Sequence, residues 1–293
     1  MKLLIILPIV VFGSKEAILI TGGSVGGAED FHPFSSSELL LASCPVSSLP
    51  HVMYDHVTIT MADGTILTCG GERTECYQLS QDLSTWTHHS YLPGSLGTSN
   101  LAYTVLPSGA FLSGRSSGAF LPTGSREWDS FSIPSDHEAR VACAVPVSAT
   151  SFLLIGGYWD QGDFVDEYDT LTGEWIRWPP LPEKRENMAC VKVGGDILVV
   201  GGYNRAQNEY DGGTVILDIE SRQWRQGGPM TWGRHGHGVS VLESGRVLAY
   251  GGGYYGDNTV EEWDRETETW SIIQETLEVE RSNFGSAVIS VTC

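Results

Sequence analysis

Basic residues are scarce in this sequence, which has 17 lysines and arginines against 36 aspartates and glutamates and a formal net charge of −19. A surface this acidic repels phosphate groups, which argues against nucleic acid and anionic membranes as partners. Long apolar runs are also missing after residue 13. The sequence therefore predicts no nucleic-acid partner and no membrane span.

Catalytic and metal-binding signatures are missing as well. The sequence has no G-x-S-x-G, no phosphate-binding loop and no H-E-x-x-H. His235 and His237 would share one side of a strand, but no third metal ligand accompanies them. The acidic loop from Asp160 to Glu167 matches no calcium-binding spacing. We therefore predict no cofactor and no metal site, and the sequence favours a non-catalytic protein.

The sequence is instead rich in glycine, with 35 residues arranged in a repeat. Apolar runs close on glycine at first positions 42 to 50 residues apart: Gly22, Gly70, Gly114, Gly156, Gly201 and Gly251, all but Gly114 followed by a second glycine. Tryptophans follow the same period: Trp86, Trp128, Trp175, Trp224 and Trp270. Two markers that share a period of about 40–50 residues indicate a propeller repeat.

Each period contains the signals of four short antiparallel strands. The run from Val191 to Val200 is two strands around a Gly-Gly turn, which is typical of a hairpin. A third strand, a turn such as Thr172-Gly173 and a fourth strand with the tryptophan follow. Such a sheet cannot bury both faces alone, so neighbouring blades must stack around an axis.

The two ends of the chain complete one blade. Residues 17–23 form a second strand with no first strand before it, whereas residues 286–293 form a first strand with no second strand after it. We expect the C-terminal strand to join the N-terminal blade as its innermost strand. The prediction is an all-β, six-bladed propeller whose ring closes without a free sheet edge.

The double glycine, the large apolar residue seven positions before each tryptophan and the spacing together resemble the kelch repeat. The residues at that position are Leu79, Leu121, Tyr168, Leu217 and Trp263. The resemblance covers essentially the whole chain after residue 16 in six copies. It implies a six-bladed kelch-type β-propeller.

Residues 1–13 have one lysine before an apolar run of about ten residues, followed by small residues at positions compatible with cleavage. This order is typical of a secretory signal peptide. We therefore expect residues 1–13 to be a signal peptide, residues 14–293 to be the propeller, and the protein to be secreted. The alternative is an extra buried strand at the start of an intracellular propeller.

Six cysteines in a secreted chain predict disulfides. Cys69 and Cys76 flank the junction of a second and a third strand, and we expect them to pair. Cys143 and Cys190 fall at similar places in consecutive first strands, where they would bridge two blades or stay as buried thiols. Cys293 ends the closing strand and Cys44 would begin the fourth strand of the same blade, so this pair would fasten the ring.

Polar residues recur where each chain segment enters the innermost strand, and these positions should form a ring around one mouth of the channel. In the kelch propellers that this sequence resembles, arginines at this position bind acidic peptides. The resemblance implies the same role for Arg185, Arg234 and Arg281, and the alternative is that they form ion pairs within the fold. The candidate ligand-binding residues are Arg185, Asn187, Arg234, His235, His237, Arg281, Asn283, His56 and Arg140.

The sequence favours a secreted, monomeric, non-catalytic module that binds an extracellular protein, peptide or glycan through loops at one mouth of the ring. One alternative is a small carbohydrate-processing enzyme, because a bacterial sialic-acid mutarotase is a small exported kelch propeller and needs only an acid–base pair. A second alternative is an intracellular kelch scaffold, if the N-terminus is retained.

Overall fold

The computed structural model describes residues 15–25, 31–137, 139–158, 162–253 and 257–292, and all regular structure within these ranges is β-strand. The predicted signal peptide and Cys293 lie outside the described residues. In chain order the strands are β1 (Lys15–Thr21), β2 (Ser24–Val25), β3 (His32–Pro33), β4 (Ser37–Leu40), β5 (His56–Thr60), β6 (Ile66–Gly70), β7 (Glu75–Leu79), β8 (Trp86–Tyr91), β9 (Ala102–Leu106), β10 (Gly109–Ser113), β11 (Ser117–Pro122), β12 (Asp129–Ser132), β13 (Cys143–Pro146), β14 (Ser151–Ile155), β15 (Val165–Asp169), β16 (Glu174–Arg177), β17 (Ala189–Val193), β18 (Asp196–Val200), β19 (Tyr203–Asn204), β20 (Glu209–Tyr210), β21 (Thr214–Asp218), β22 (Gln223–Gly227), β23 (Gly238–Val241), β24 (Val247–Tyr250), β25 (Asp257–Asp264), β26 (Thr269–Arg281) and β27 (Gly285–Val291).

These strands form six blades around one channel, as the repeat predicts. From the inside outwards, blade 1 is β27-β1-β4, blade 2 is β5-β6-β7-β8 and blade 3 is β9-β10-β11-β12. Blade 4 is β13-β14-β15-β16, blade 5 is β17-β18-β21-β22 and blade 6 is β23-β24-β25-β26. Two small hairpins, β2-β3 and β19-β20, project from the loops that connect second and third strands.

The ring closes through the C-terminal strand. β27 pairs with β1 in an unbroken antiparallel register from Lys15↔Val291 to Thr21↔Gly285, so it is the innermost strand of blade 1. The predicted closure is therefore confirmed. It joins the two ends of the described chain by a seven-residue ladder and satisfies the edge that each would otherwise expose.

The seven-residue spacing before each tryptophan is a pairing between the third and fourth strands. Tyr168 lies directly across from Trp175, and Leu217 lies directly across from Trp224. Each indole N–H then donates to the preceding blade: that of Trp175 to the Ser132 carbonyl at 2.9 Å, and that of Trp224 to the Pro179 carbonyl at 3.1 Å. The tryptophan thus packs within its own blade and also joins that blade to the preceding one.

The first glycine of each pair makes room for a side chain of the following blade. A Cβ on Gly201 would come within 2.8 Å of the His237 ring, and one on Gly251 within 2.6 Å of the Phe284 ring. Both glycines also have left-handed backbone angles, with φ of 63° and 65°. A larger residue would therefore meet both a steric clash and an unfavourable backbone conformation.

Blade 1 corrects one expectation, because it has three strands and the segment around Cys44 does not form a fourth. The chain leaves β4 and bonds to blade 2 instead: the Ser47 amide donates to the Leu83 carbonyl at 2.9 Å, and the Trp86 indole donates to the Ser47 carbonyl at 3.0 Å. The long strand β26 helps to cover the blade, and its Leu277 packs with Ile18 and other buried side chains. Contacts with the two neighbouring blades thus take the place of the missing strand.

Two predicted disulfides are present. Cys69 and Cys76 are directly opposite each other on β6 and β7, with their Cα atoms 4.2 Å apart. Cys143 and Cys190 join the inner strands of blades 4 and 5, with a Cα separation of 5.9 Å. Cys44 is also disulfide-bonded, and its predicted partner Cys293 lies outside the described residues.

Candidate functional site: the mouth of the central channel

The six inner strands enclose a channel with a cavity of about 600 Å³. Successive strands of a blade run in opposite directions, so the loops that enter the first strands and the loops that join second to third strands lie at the same end of the ring. We call this end the loop face. The channel mouth on this face is lined by one residue from each blade: Asp55, Asn100, Val141, Asn187, Gly236 and Asn283.

These six residues form a closed ring of backbone hydrogen bonds. Each amide donates to the carbonyl of the residue before it in the ring, and the Asp55 amide donates to the Asn283 carbonyl to complete the circle. The six N···O distances lie between 2.8 and 3.2 Å. The mouth therefore has a rigid backbone frame that links all six blades.

All six residues of this ring have left-handed backbone angles, with φ between 52° and 58°. Asparagine, aspartate and glycine adopt this region more readily than other residues, which explains five of the six identities. Val141 is the exception, because a β-branched side chain is strained there. The backbone geometry thus selects short polar side chains, and the same side chains line the channel mouth.

Asp55 is the one carboxylate among the six. Its side chain is hydrogen-bonded to Asn100, burial raises its pKa to about 6, and the negative charge of Glu72 adds to the rise. The hydroxyl of Tyr54 donates to Glu72, and this bond raises the tyrosine pKa to about 12. Blade 2 therefore contributes a carboxyl group that changes charge near neutral pH.

The two predicted histidines next to this ring lie between blades. The Gly285 amide donates to Nε2 of His56 at 3.2 Å, so the neutral ring carries its proton on Nδ1. Burial lowers the pKa of both His56 and His237 to about 3. No side chain or backbone group of the described residues hydrogen-bonds to either ring nitrogen of His237. Both histidines are therefore neutral.

The three predicted arginines point away from the mouth and are almost fully buried. Each guanidinium donates to the carbonyl of the first glycine of the blade whose innermost strand follows it in the chain, and each pairs with a carboxylate. Arg234 donates to Gly251 at 2.7 Å and pairs with Glu261 at 3.0 Å. We call this arrangement a clasp, because it ties the loop before the first strand to the ends of the second and third strands.

The other two arginines repeat the arrangement. Arg281 donates to the Gly22 carbonyl at 2.7 Å and pairs with Glu38 at 2.8 Å. Arg185 contacts the Gly201 carbonyl at 3.4 Å and pairs with Asp211 at 2.8 Å. The structure therefore favours the alternative that these arginines have a role within the fold, since their charges are already matched by carboxylates.

The remaining predicted residues lie on the loop face outside the mouth. The guanidinium of Arg140 lies 4.5 Å from the centre of the Tyr158 ring. His235 stacks on Tyr210 with ring centres 4.2 Å apart, and burial lowers the histidine pKa to about 4. Trp232, in the same loop as His235, is 56% exposed. The loop face thus presents aromatic rings beside the polar mouth.

The structure places Asn187 and Asn283, two of the candidate residues, at the mouth together with Asp55, which the sequence analysis did not select. The signal that could have identified Asp55 is its position in the repeat, because Asp55 precedes its glycine pair by the same interval as Val141 and Gly236 precede theirs. The loop aromatics carry no such signal, since their loops differ in length and composition from blade to blade. Their arrangement is visible only in three dimensions.

Comparison with known proteins agrees with the fold. Residues 184–231 match the family described as Kelch motif. Human Kelch-like protein 23 is 34% identical over 106 residues, which is 36% of this chain and 19% of that protein. Kelch-like protein 40a of Danio rerio is 26% identical over 129 residues, covering 41% and 20% of the two chains. An F-box/kelch-repeat protein of Arabidopsis thaliana is 30% identical over 162 residues, covering 50% and 39%.

Together with the six-bladed fold, these matches show a β-propeller that contains a Kelch motif and is similar in sequence to Kelch-like proteins. Kelch propellers bind proteins, and the fold suggests a protein-binding module. The alignments span between a fifth and two fifths of the length of these three relatives. Within the described ranges, no helix could span a membrane and no group of three or more acidic, histidine or cysteine residues is placed to hold a metal ion.

Proposed function

We propose that this protein is a secreted, non-catalytic binding module that holds an extracellular protein, peptide or glycan on its loop face. The observation that carries the proposal is the channel mouth, where four polar side chains project from a closed backbone ring. A binding site built on such a frame requires little ordering when the ligand arrives, which favours affinity. The exposed aromatic residues beside the mouth supply the apolar contacts that dominate many interfaces.

The chemistry of the mouth selects the ligand group that would face it. The buried arginines are paired with carboxylates, whereas the mouth presents Asp55 and three asparagines. A carboxylate accepts hydrogen bonds and an amide both donates and accepts. We infer that the mouth receives a neutral or cationic hydrogen-bond donor, such as a sugar hydroxyl or the amino group of a lysine.

Variants of the mouth test this proposal without disturbing its backbone. Asn187→Gly and Asn283→Gly remove side chains, and glycine keeps the left-handed conformation at no steric cost. Leu171→Ser, in an exposed turn between third and fourth strands at the opposite face, is the matched control. Binding is measured on arrays of extracellular domains and of glycans. We expect the glycine variants to lose the ligand and the control to retain it, and the reverse pattern would refute the site.

Secretion is tested separately by the intact mass of protein recovered from the culture medium. We expect residues 1–13 to be absent and all cysteines to be oxidised. Protein retained inside cells with its N-terminus intact would instead support an intracellular scaffold. Because the experiment does not involve a ligand, its outcome is independent of the site.

A second candidate function is supported by Asp55. A carboxyl group whose pKa is about 6, at the mouth of a cavity of about 600 Å³, suits general acid–base catalysis on a small sugar. The test is NMR of the exchange between sugar anomers, with N-acetylneuraminate first, in the presence of the protein and of Asp55→Asn. Acceleration that the variant abolishes would establish catalysis, and equal rates with and without protein would exclude it for that sugar.

A further inference from the structure

Blade 4 has a clasp of a different kind, in which a histidine takes the part of the arginine. His137 is 1% exposed, and its two ring nitrogens face two acceptors. Nε2 lies 2.7 Å from the Gly156 carbonyl, and Nδ1 lies 2.6 Å from a carboxylate oxygen of Asp166. Gly156 is the first glycine of its pair, so the contacts correspond to those of Arg234 with Gly251 and Glu261.

The two acceptors determine the protonation of the ring. A carbonyl oxygen only accepts, so Nε2 must carry a proton. Asp166 is held as a carboxylate because the Arg177 guanidinium donates to its other oxygen. Burial opposes ionisation of Asp166, but the bonds from His137 and Arg177 outweigh it and lower its pKa. An ionised carboxylate also only accepts, so Nδ1 must carry a proton as well.

We propose that His137 is a buried imidazolium and that its deprotonation opens the clasp of blade 4, so that the loop face of this blade responds to pH. Loss of one N–H leaves a nitrogen lone pair facing an oxygen atom. The neutral ring then bonds either Gly156 or Asp166, but not both. The clasps of blades 1, 5 and 6 keep their charge across this range because arginine does not deprotonate in proteins.

The surroundings of His137 add the remaining charges. Among the described residues, Asp166 faces it from β15 and Arg177 faces the same carboxylate from β16. Asp136, in the loop of His137, pairs with Arg177 at 3.1 Å. The ring of Phe164 meets the imidazole edge-on, with centres 5.6 Å apart. One imidazolium and one guanidinium therefore balance two carboxylates, and deprotonation of His137 leaves one negative charge in excess.

The clasp of blade 4 supports backbone hydrogen bonds whose amides can be monitored individually by hydrogen exchange. The Gly156 amide donates to the Phe164 carbonyl at 2.7 Å, and the Leu181 amide donates to the Asp163 carbonyl at 2.9 Å. Blade 5 has the matched pair under an arginine clasp, where the Gly201 amide donates to Gly213 at 3.0 Å and the Met230 amide donates to Gly212 at 2.7 Å. The two blades thus differ in the cation and share the bonds that it supports.

The first experiment is long-range nitrogen–proton NMR of the histidine rings in the wild-type protein between pH 6 and pH 9. We expect His137 to show both nitrogens protonated at pH 6 and to lose one proton before pH 9. A neutral ring at pH 6 would overturn the assignment of the imidazolium. A ring that stays doubly protonated to pH 9 would overturn the pH response. His137→Gln identifies the signals.

The second experiment is hydrogen exchange of the Gly156, Leu181, Gly201 and Met230 amides. The rates are expressed as protection factors so that the intrinsic pH dependence of exchange is removed. We expect protection of Gly156 and Leu181 to fall as the pH rises towards the titration of His137, by up to about tenfold per pH unit, which is the limit for one linked proton, and to level off above it. Protection of Gly201 and Met230 should change by less than about twofold per pH unit, because no proton is linked to their clasp. Equal changes in both blades would contradict the proposal.

The proposal concerns the free protein, so it stands or falls independently of the proposed function. Only its consequence for ligand binding rests on that function. If NMR and hydrogen exchange give the expected results but the mouth variants bind normally, the clasp is a pH-sensitive part of the fold without a link to the ligand. If the mouth variants lose the ligand and His137 does not titrate, the function stands without this regulation.

Discussion

Blades 4 and 6 solve one structural problem with two different cations. In both, a buried positive charge joins the carbonyl of the first glycine to a carboxylate on the third strand, Asp166 in one blade and Glu261 in the other. Arg234 has a permanent charge, whereas His137 is charged only in its doubly protonated form. The comparison teaches that the same tie can be constant in one blade and dependent on pH in another.

Blade 2 shows a third solution to the same problem. Its second and third strands are joined at this level by the Cys69–Cys76 disulfide, and Met53 takes the position that Arg234 has in blade 6. The glycine pair leaves the end of the second strand without side chains of its own, so each of these blades needs another contact there. For function, the consequence is that the arginines lie within the blades, and the polar side chains at the mouth are those of Asp55 and the asparagines.

The largest expected effect comes from breaking an arginine clasp. Arg234→Met leaves the buried carboxylate of Glu261 without its partner, and we expect the free energy of unfolding to fall by about 3–5 kcal/mol. Urea unfolding followed by tryptophan fluorescence measures the change. Adding Glu261→Leu should recover much of the loss, since the buried charge is then gone. A loss below about 1 kcal/mol for the single variant would contradict the clasp.

A smaller effect is expected from removing the disulfide of blade 2. Replacing both Cys69 and Cys76 by alanine releases a short closed loop and should lower the free energy of unfolding by about 2–3 kcal/mol. The measurement is thermal unfolding of the variant beside wild type, both under non-reducing conditions. An unchanged melting temperature would show that the strands of this blade are held without the disulfide.

The Asp166 carboxylate of the blade 4 clasp is expected to contribute about 1–3 kcal/mol to the free energy of unfolding. Because the pKa of Asp166 is lowered in the folded protein, its ionised form stabilises the fold above the ordinary carboxyl pKa, and this stability is lost as the pH falls towards the folded-state pKa. Asp166→Asn should therefore be less stable than wild type at pH 7, with the difference shrinking between pH 5 and pH 2. Chemical unfolding at several pH values checks this, and a difference that grows on acidification would be incompatible with it.

The smallest effect should come from an exposed arginine with similar partners. Arg225 is 41% exposed in its side chain and pairs with Asp196 at 2.9 Å and with Glu268 at 2.8 Å. Water screens such pairs, so Arg225→Ala should cost less than about 1 kcal/mol. Measured in the same urea series, it is the control for Arg234→Met. A cost equal to that of the buried arginine would remove burial as the explanation of the difference.

Much of the fold could be predicted from the sequence because a repeat carries its own register. The glycine pairs and tryptophans define six blades, and the unpaired strands at the two ends define the closure that β1 and β27 form. The fourth strand expected near Cys44 was wrong, because that segment bonds to blade 2. A repeat pattern predicts where a strand is due, but a neighbouring blade decides whether the ladder forms.

The site could be predicted less well, because register places the backbone and does not give the direction of a side chain. The asparagines of the mouth followed from the repeat, whereas the arginines beside them turn into the blades, where Asp211, Glu38 and Glu261 lie. His137 lies two residues before Ala139, which has the position of the arginines. A substitution displaced along the chain leaves no signal in an alignment of the repeats.

The measurement that tests the central claim most directly is photo-crosslinking from two faces of the protein. A photoreactive phenylalanine analogue replaces Tyr203 on the loop face in one variant and Leu171 at the opposite face in the other. Both are expressed in the same cells and irradiated in their medium. The account predicts specific adducts from position 203 that Asn187→Gly and Asn283→Gly abolish. Adducts from position 171 alone, unaffected by the mouth variants, would contradict it.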